Sequence, residues 1–254
     1  MTRILAVVMP LAFALLVSGC ATSGTDRPQS ADQRASRINT QLGVEYMRQG
    51  ELEQAKEKLQ RAVAQDARYA DAHATLALLY DRLNEHNDAR RHYRRAVQLA
   101  PEDSSILNNY GRFLCAQGNI SQAERHFLRA VENPLYRTPE VPYTNLGLCL
   151  IRDDRPEEAE ASFLKALEAN PRFAPALLRV AELRLEGGHA MSARGFYQRY
   201  LDVAPQTAET LWLGINIERA LGDEDAVASY SLSLRSRFPD STEARKLLEM
   251  ERHD

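Results

Sequence analysis

One interval governs this chain. Gly43, Ala77 and Gly111 lie 34 residues apart, as do Ala55, Ala89 and Ala123, and Ala62, Ala96 and Ala130. Gly147, Ala159 and Ala166 come 36 later, Ala181 and Ala193 after a further 34, and Gly214 and Ala226 after 33. A large side chain follows the second small one each time: Leu59, Tyr93, Phe127, Phe163, Tyr197 and Tyr230. A late proline recurs at Pro101, Pro171, Pro205 and Pro239. The single slip of two residues falls in the stretch from Asn133 to Pro142 and keeps the first five units in phase. Small and large positions repeating together at this period specify helical hairpins stacked into a solenoid. In the third unit Tyr110, Leu114, Phe127 and Val131 form the expected seam between two antiparallel helices. Gly111, Ala123 and Ala130 stand where the two backbones approach.

These residues resemble the tetratricopeptide repeat, whose pattern runs L-G-x2-Y, then A-x3-F, then A and P. Leu42-Gly43 with Tyr46 opens the first unit in this way, and Leu146-Gly147 the fourth. The resemblance implies an all-α solenoid of about six hairpins in a right-handed superhelix over residues 35–240. A capping helix and tail would occupy 241–254, because a terminal repeat exposes an apolar face that something must cover. Two departures, Tyr200 and Ser233 where alanine is expected, should widen their local packing. Gly50, Gly118, Gly188 and Gly222 fall between helices, where a left-handed residue ends a helix cheaply. Acidic residues collect where second helices begin (Glu51, Glu53, Glu157, Glu158), and basic ones follow (Lys56, Lys58, Arg94, Arg95, Arg129), which complements the helix dipole.

The first 19 residues read as a lipoprotein signal. Arg3 is followed by an apolar run from Ile4 to Val17 that is too short and wrongly flanked to span a membrane. Leu16-Val17-Ser18-Gly19-Cys20 resembles a bacterial lipobox, with Cys20 as the lipidated residue; the plainer alternative is a cleaved signal with an incidental cysteine. Acyl chains at Cys20 would anchor the protein, at about 0.8 kcal/mol per buried methylene. Ala21 after the cysteine, by resemblance to the enterobacterial sorting rule, points to the outer membrane of a Gram-negative cell, facing the periplasm. Residues 20–34 are polar and read as a flexible tether of roughly 20 Å r.m.s. span. The chain's formal net charge of -3 becomes -4 without Arg3, with both signs mixed, and gives no support for nucleic-acid binding.

Catalytic chemistry finds no foothold in the pattern. There is no glycine-rich phosphate loop, no G-x-S-x-G and no histidine pair at metal-ligand spacing, so neither an enzyme, a cofactor, a metal nor a small-molecule substrate is expected. His92 and His126 stand 34 apart, so both are expected at the surface. Arg90, Arg91, Arg94 and Arg95 read first as the solvated outer face of a second helix, with contact to phosphate or lipid head groups as the alternative. Cys115 and Cys149 sit on first helices at heights that differ by about two residues. That difference favours free, half-buried thiols over a bridge.

Tetratricopeptide arrays bind protein segments along the groove formed by their first helices. Unit positions 2, 5, 9 and 12 are expected to point there. They supply Thr40, Val44 and Met47 in unit one, Ala74 and Leu78 in unit two, Asn108 and Arg112 in unit three, and Leu148 and Ile151 in unit four. The alternative for some of them is simply to fill the space between units. Thr40 and Val44 stand where carboxylate-clamp arrays need lysine and asparagine, so that ligand class does not fit. Leu107-Asn108-Asn109-Tyr110-Gly111-Arg112-Phe113-Leu114-Cys115, Asn145-Leu146-Gly147-Leu148-Cys149 and the run from Pro134 to Glu140 are similar to the type IV pilus biogenesis lipoproteins, the PilF/PilW family of pilotins. That resemblance implies a non-enzymatic protein that binds the pilus secretin and promotes its outer-membrane localisation and multimerisation. The alternative is a lipoprotein adaptor for another envelope machine, such as one serving peptidoglycan enzymes or outer-membrane protein assembly.

Overall fold

A computed structural model describes residues 30–252; the expected signal segment and Cys20 lie outside them. Thirteen helices fill the described residues and pair into six hairpins and a cap. The pairs are α1 (Ala31–Gln49) with α2 (Leu52–Gln65), α3 (Ala70–Arg82) with α4 (His86–Leu99), and α5 (Ser104–Ala116) with α6 (Ile120–Glu132). They continue with α7 (Glu140–Arg152) and α8 (Pro156–Ala169), α9 (Ala174–Glu186) and α10 (Ala190–Leu201), and α11 (Ala208–Leu221) and α12 (Glu224–Arg237). α13 (Thr242–Met250) closes the stack. The architecture is that of a tetratricopeptide-type solenoid.

Local chemistry sets the boundaries. Gly50, Gly118, Gly188 and Gly222 take φ of 82, 74, 78 and 73°, and where units two and four lack this glycine, Asn84 and Asp154 take φ of 59 and 56° instead. These short polar side chains tolerate the left-handed region better than most. α1 begins at Ala31, inside the stretch expected to be tether, because Ser30 and Gln33 form a reciprocal capping box. Pro156 occupies the first turn of α8, where its missing N–H leaves no bond unmade.

Packing within a hairpin depends on one small residue facing one large one. A Cβ added to Gly111 would lie 2.7 Å from Cε1 of Phe127, and one added to Gly147 would lie 2.6 Å from Cε1 of Phe163. Phe127 and Phe163 are buried, as are Leu59, Tyr93 and Tyr197 at the same place in their units. Tyr200 is buried too, stacked on Tyr197 and donating its hydroxyl to the Pro205 carbonyl at 3.2 Å. At the C-terminal end Ala244 and Leu247 of α13 cover Leu211, Ile215 and Leu234, with Trp212 at the edge. The N-terminal end is different. Ile38 and Leu42 are 56 % and 42 % exposed, whereas their equivalents Ala72, Ile106, Leu76 and Tyr110 are buried.

Two expectations are corrected. His92 and His126 are half-buried, not at the surface. His126 packs on Tyr110 with ring centroids 4.7 Å apart, and His92 meets His73, Nδ1 to Nδ1 at 2.9 Å. His73 Nε2 lies 3.2 Å from the Ala67 carbonyl, which can only accept, so the proton of neutral His73 is on Nε2 and His92 Nδ1 donates to it. Burial, His73 and Arg91 together pull the His92 imidazole down to about 4, so it stays neutral near pH 7.

Cys115 and Cys149 are joined in a disulfide, with Cα atoms 5.8 Å apart, instead of standing as free thiols. Helix rotation explains why. Equivalent residues on two parallel neighbouring helices point the same way and cannot meet. A shift of two residues turns the side chain through about 200° for a rise of about 3 Å, which aims Cys115 and Cys149 at each other.

Gly111→Ala is expected to lower unfolding free energy by about 1–3 kcal/mol, since the Phe127 ring is fixed on all sides, and urea denaturation reads the change directly. The bridge closes a loop with a sequence separation of 34. Its reduction, or Cys115→Ser with Cys149→Ser, should remove up to about 3–4 kcal/mol, seen as a lower denaturation midpoint in the presence of reductant. An identical midpoint in oxidising and reducing buffer would contradict that expectation.

Candidate functional site

The first helices of units one to four pack directly on one another, α1 on α3, α3 on α5 and α5 on α7, and each second helix packs on the first helix of the following unit. The first helices therefore form the inner wall. At the centre of this wall α3, α5 and α7 enclose an open cavity of about 260 Å³. Leu78 and Asp81 come from α3, Asn109 and Arg112 from α5, and Asn145, Leu148 and Arg152 from α7. The Cys115–Cys149 bridge lies in its floor, with both cysteines buried. Asn145 donates from Nδ2 to Oδ1 of buried Asn108 at 2.8 Å, a second tie between α5 and α7 beside the bridge.

The nine expected groove residues separate into two sets. Val44 and Leu78 are half-buried and Arg112, Leu148 and Ile151 are exposed, so these five present surface. Thr40, Met47, Ala74 and Asn108 are buried between helices. Thr40 donates its hydroxyl to the Ser36 carbonyl at 2.9 Å, and Met47 offers only its carbonyl, to Arg82 at 3.3 Å. Helix rotation accounts for eight of the nine. At about 100° per residue, unit positions 2, 6, 9 and 13 share one stripe, while positions 5 and 12 are turned roughly 70° or more toward a neighbouring helix; Ile151, at position 12 of unit four, is exposed all the same. Leu78, Arg112 and Leu148 meet in the central cavity; Val44 lies outward along the same wall.

Asn109, Asn145 and Arg152 also line the cavity and were not among the expected residues. Asn109 and Asn145 occupy position 6 of units three and four, a recurrence 36 residues apart that marks them. Amides in this setting bond to both the N–H and the C=O of an extended peptide, guanidinium groups donate to carboxylates, and Leu78 and Leu148 offer apolar contact. Among the described residues no group of three His, Cys, Asp or Glu is placed to hold a metal ion. This set of groups can contact a protein segment through amides, guanidinium groups and apolar side chains.

The tetratricopeptide-repeat family model matches residues 40–104 and 74–139, and a second model of the same repeat matches 142–173. The type IV pilus assembly protein PilF of Pseudomonas aeruginosa is 34% identical over 246 residues, which is 96% of this chain and 97% of that protein. The solved structure of Pseudomonas aeruginosa PilF superposes with a TM-score of 0.77 at 32% identity, covering 87% of this chain and 100% of that one. The structure of PilW, a type IV pilus biogenesis factor, gives 0.75 at 32% identity, covering 84% of this chain and 98% of that one. YrrB, a tetratricopeptide-repeat protein, is 16% identical with a TM-score of 0.58 over 75% of this chain and 97% of its own, and shares the fold alone. With identity spread over nearly the whole length of both chains, this chain belongs to the PilF/PilW family of tetratricopeptide-repeat proteins of type IV pilus biogenesis.

Proposed function

We propose that this chain is a lipid-anchored outer-membrane pilotin, which binds the type IV pilus secretin and promotes its localisation and multimerisation. The observation that carries the reading is the end-to-end identity with PilF. The structure supplies a matching surface. Val44 and Leu78 lie along the inner wall of units one and two, and Ile38 and Leu42 leave an apolar end uncovered next to them. An apolar segment of the secretin seated there would bury the exposed side chains of Ile38 and Leu42. In this reading Cys20 carries the acyl chains that set the address, the following residues are the tether, and the wall grips the cargo.

Val44→Asp with Leu78→Asp should weaken capture of the secretin by about tenfold or more while leaving helix content unchanged, because both side chains are only half-buried. Capture at wild-type strength by a folded double variant would remove the wall of units one and two from the binding surface. The wider reading is tested by the heat-resistant secretin multimer in membranes of cells lacking the gene. Multimer should disappear, return with the wild type, and return reduced or mislocalised with Cys20→Ser. Undiminished multimer without the gene would instead favour an adaptor for another envelope machine.

A further inference from the structure

The outer face of α4 is unlike any other second helix in the array. Asn87, Arg90, Arg91, Arg94, Arg95 and Gln98 follow one another at helical spacing along one stripe of about 16 Å. Together with His73 and His92 they line an open concavity of about 620 Å³. Arg91 is paired with Asp88 at 2.6 Å. Arg94 and Arg95 are exposed and meet no carboxylate among the described residues.

Arg90 departs from a rule that its equivalents keep. The same position carries Lys56, Glu124, Glu160 and Arg194 in the neighbouring units. Each is ion-paired with the unit that follows: Lys56 with Glu85 at 2.7 Å, Glu124 with Arg155 at 3.4 Å, Glu160 with Arg184, and Arg194 with Glu218. Between units two and three the partner place equivalent to Glu85 is taken by neutral Asn119. Arg90 rests over the Phe113 ring instead, 5.4 Å from its centroid. Among the described residues Arg90, Arg94 and Arg95 are thus left without a carboxylate, whereas the equivalents of Arg90 in units one, three, four and five are ion-paired, in a chain whose formal net charge is -3.

We propose that this arginine stripe is a second docking surface, which lies on the phosphate-bearing face of a lipid bilayer. Its shape favours that occupant. A second helix is on the outside of the solenoid, where a straight row of guanidinium groups can meet a plane, whereas an extended peptide is better held by the inner wall. Guanidinium forks match phosphate oxygens, and the open concavity between them admits a head group. Leu128 of α6, at the position of Arg94 one unit on, adds an exposed apolar side chain beside the stripe. Basic residues with a neighbouring apolar side chain are the composition of an interfacial surface. The proposal does not depend on the acyl anchor or on the secretin.

The test is co-sedimentation of the full chain carrying Cys20→Ser, so that no acyl chain contributes, with vesicles of phosphatidylcholine alone and of equimolar phosphatidylcholine and phosphatidylglycerol. Binding is expected only to the anionic vesicles, and to fall with added salt. Arg94→Gln with Arg95→Gln should weaken it about thirtyfold. Both side chains are exposed, so thermal melting should be unchanged. Arg48→Gln with Arg252→Gln removes the same charge elsewhere and should leave binding within about twofold. Equal losses in the two variants, or no loss with the α4 pair, would overturn the proposal. So would a stripe-dependent complex with polyglutamate in place of vesicles, which would make the ligand an acidic protein segment.

Discussion

No hairpin in this array can bury both of its faces, and nearly every feature of the structure answers to that constraint. Within a hairpin a glycine or alanine admits one large ring or leucine, as Gly111 admits Phe127. Between hairpins the next unit must supply the cover, which makes stability a sum of neighbour terms. α13 meets the constraint at one end with Ala244 and Leu247. At the other end Ile38 and Leu42 remain open, although the same positions are sealed in units two and three. Apolar surface that later units seal is therefore left open on the first described hairpin.

The same constraint divides the surface into two chemistries. First helices crowd together, so their accessible residues converge on a narrow wall where Leu78, Arg112 and Leu148 share a cavity with two asparagines. Second helices face outward and are free to vary. There the recurring ion pairs between units hold the outer edge, and their single omission, at Arg90 facing Asn119, leaves α4 with charge that no neighbour answers. The inside thus offers shape and amides, and the outside of α4 offers net charge, whose field is screened by salt over about 10 Å.

The hairpins were legible because they are written in distances along the chain: a period of 34, small residues at crossings, glycine at turns. What depended on angle around a helix was read less well. The nine groove residues came from positions 5, 9 and 12, and position 5 proved to be buried at Thr40, Ala74 and Asn108, since it turns toward the adjacent helix. Asn109 and Asn145, at position 6, face the cavity for the same rotational reason and lie outside the expected set. The half-buried histidines show a second kind of loss. Repetition at 34 established that His92 and His126 are equivalent, but equivalence carries no information about depth, and their partners His73 and Tyr110 come from the facing helix.

The disulfide is the case where distance misled most, and its location also has a physical sense. A two-residue difference in height was taken against pairing, when the rotation it brings is what makes pairing possible. The bridge spans units three and four, the one junction whose connection carries two extra residues. Those residues lie by the loop of Pro134, Leu135 and Tyr136, where Leu135 is 85 % exposed and contributes little packing. A longer connection restrains the two hairpins less, by loop-closure entropy that grows with length. The bridge and the Asn145–Asn108 hydrogen bond restrain them directly, at the inner wall. The central cavity takes side chains from both sides of that junction, so a change in the spacing of α5 and α7 would separate Arg112 from Leu148 and Arg152. The covalent tie and the central cavity thus lie at the same junction, between α5 and α7.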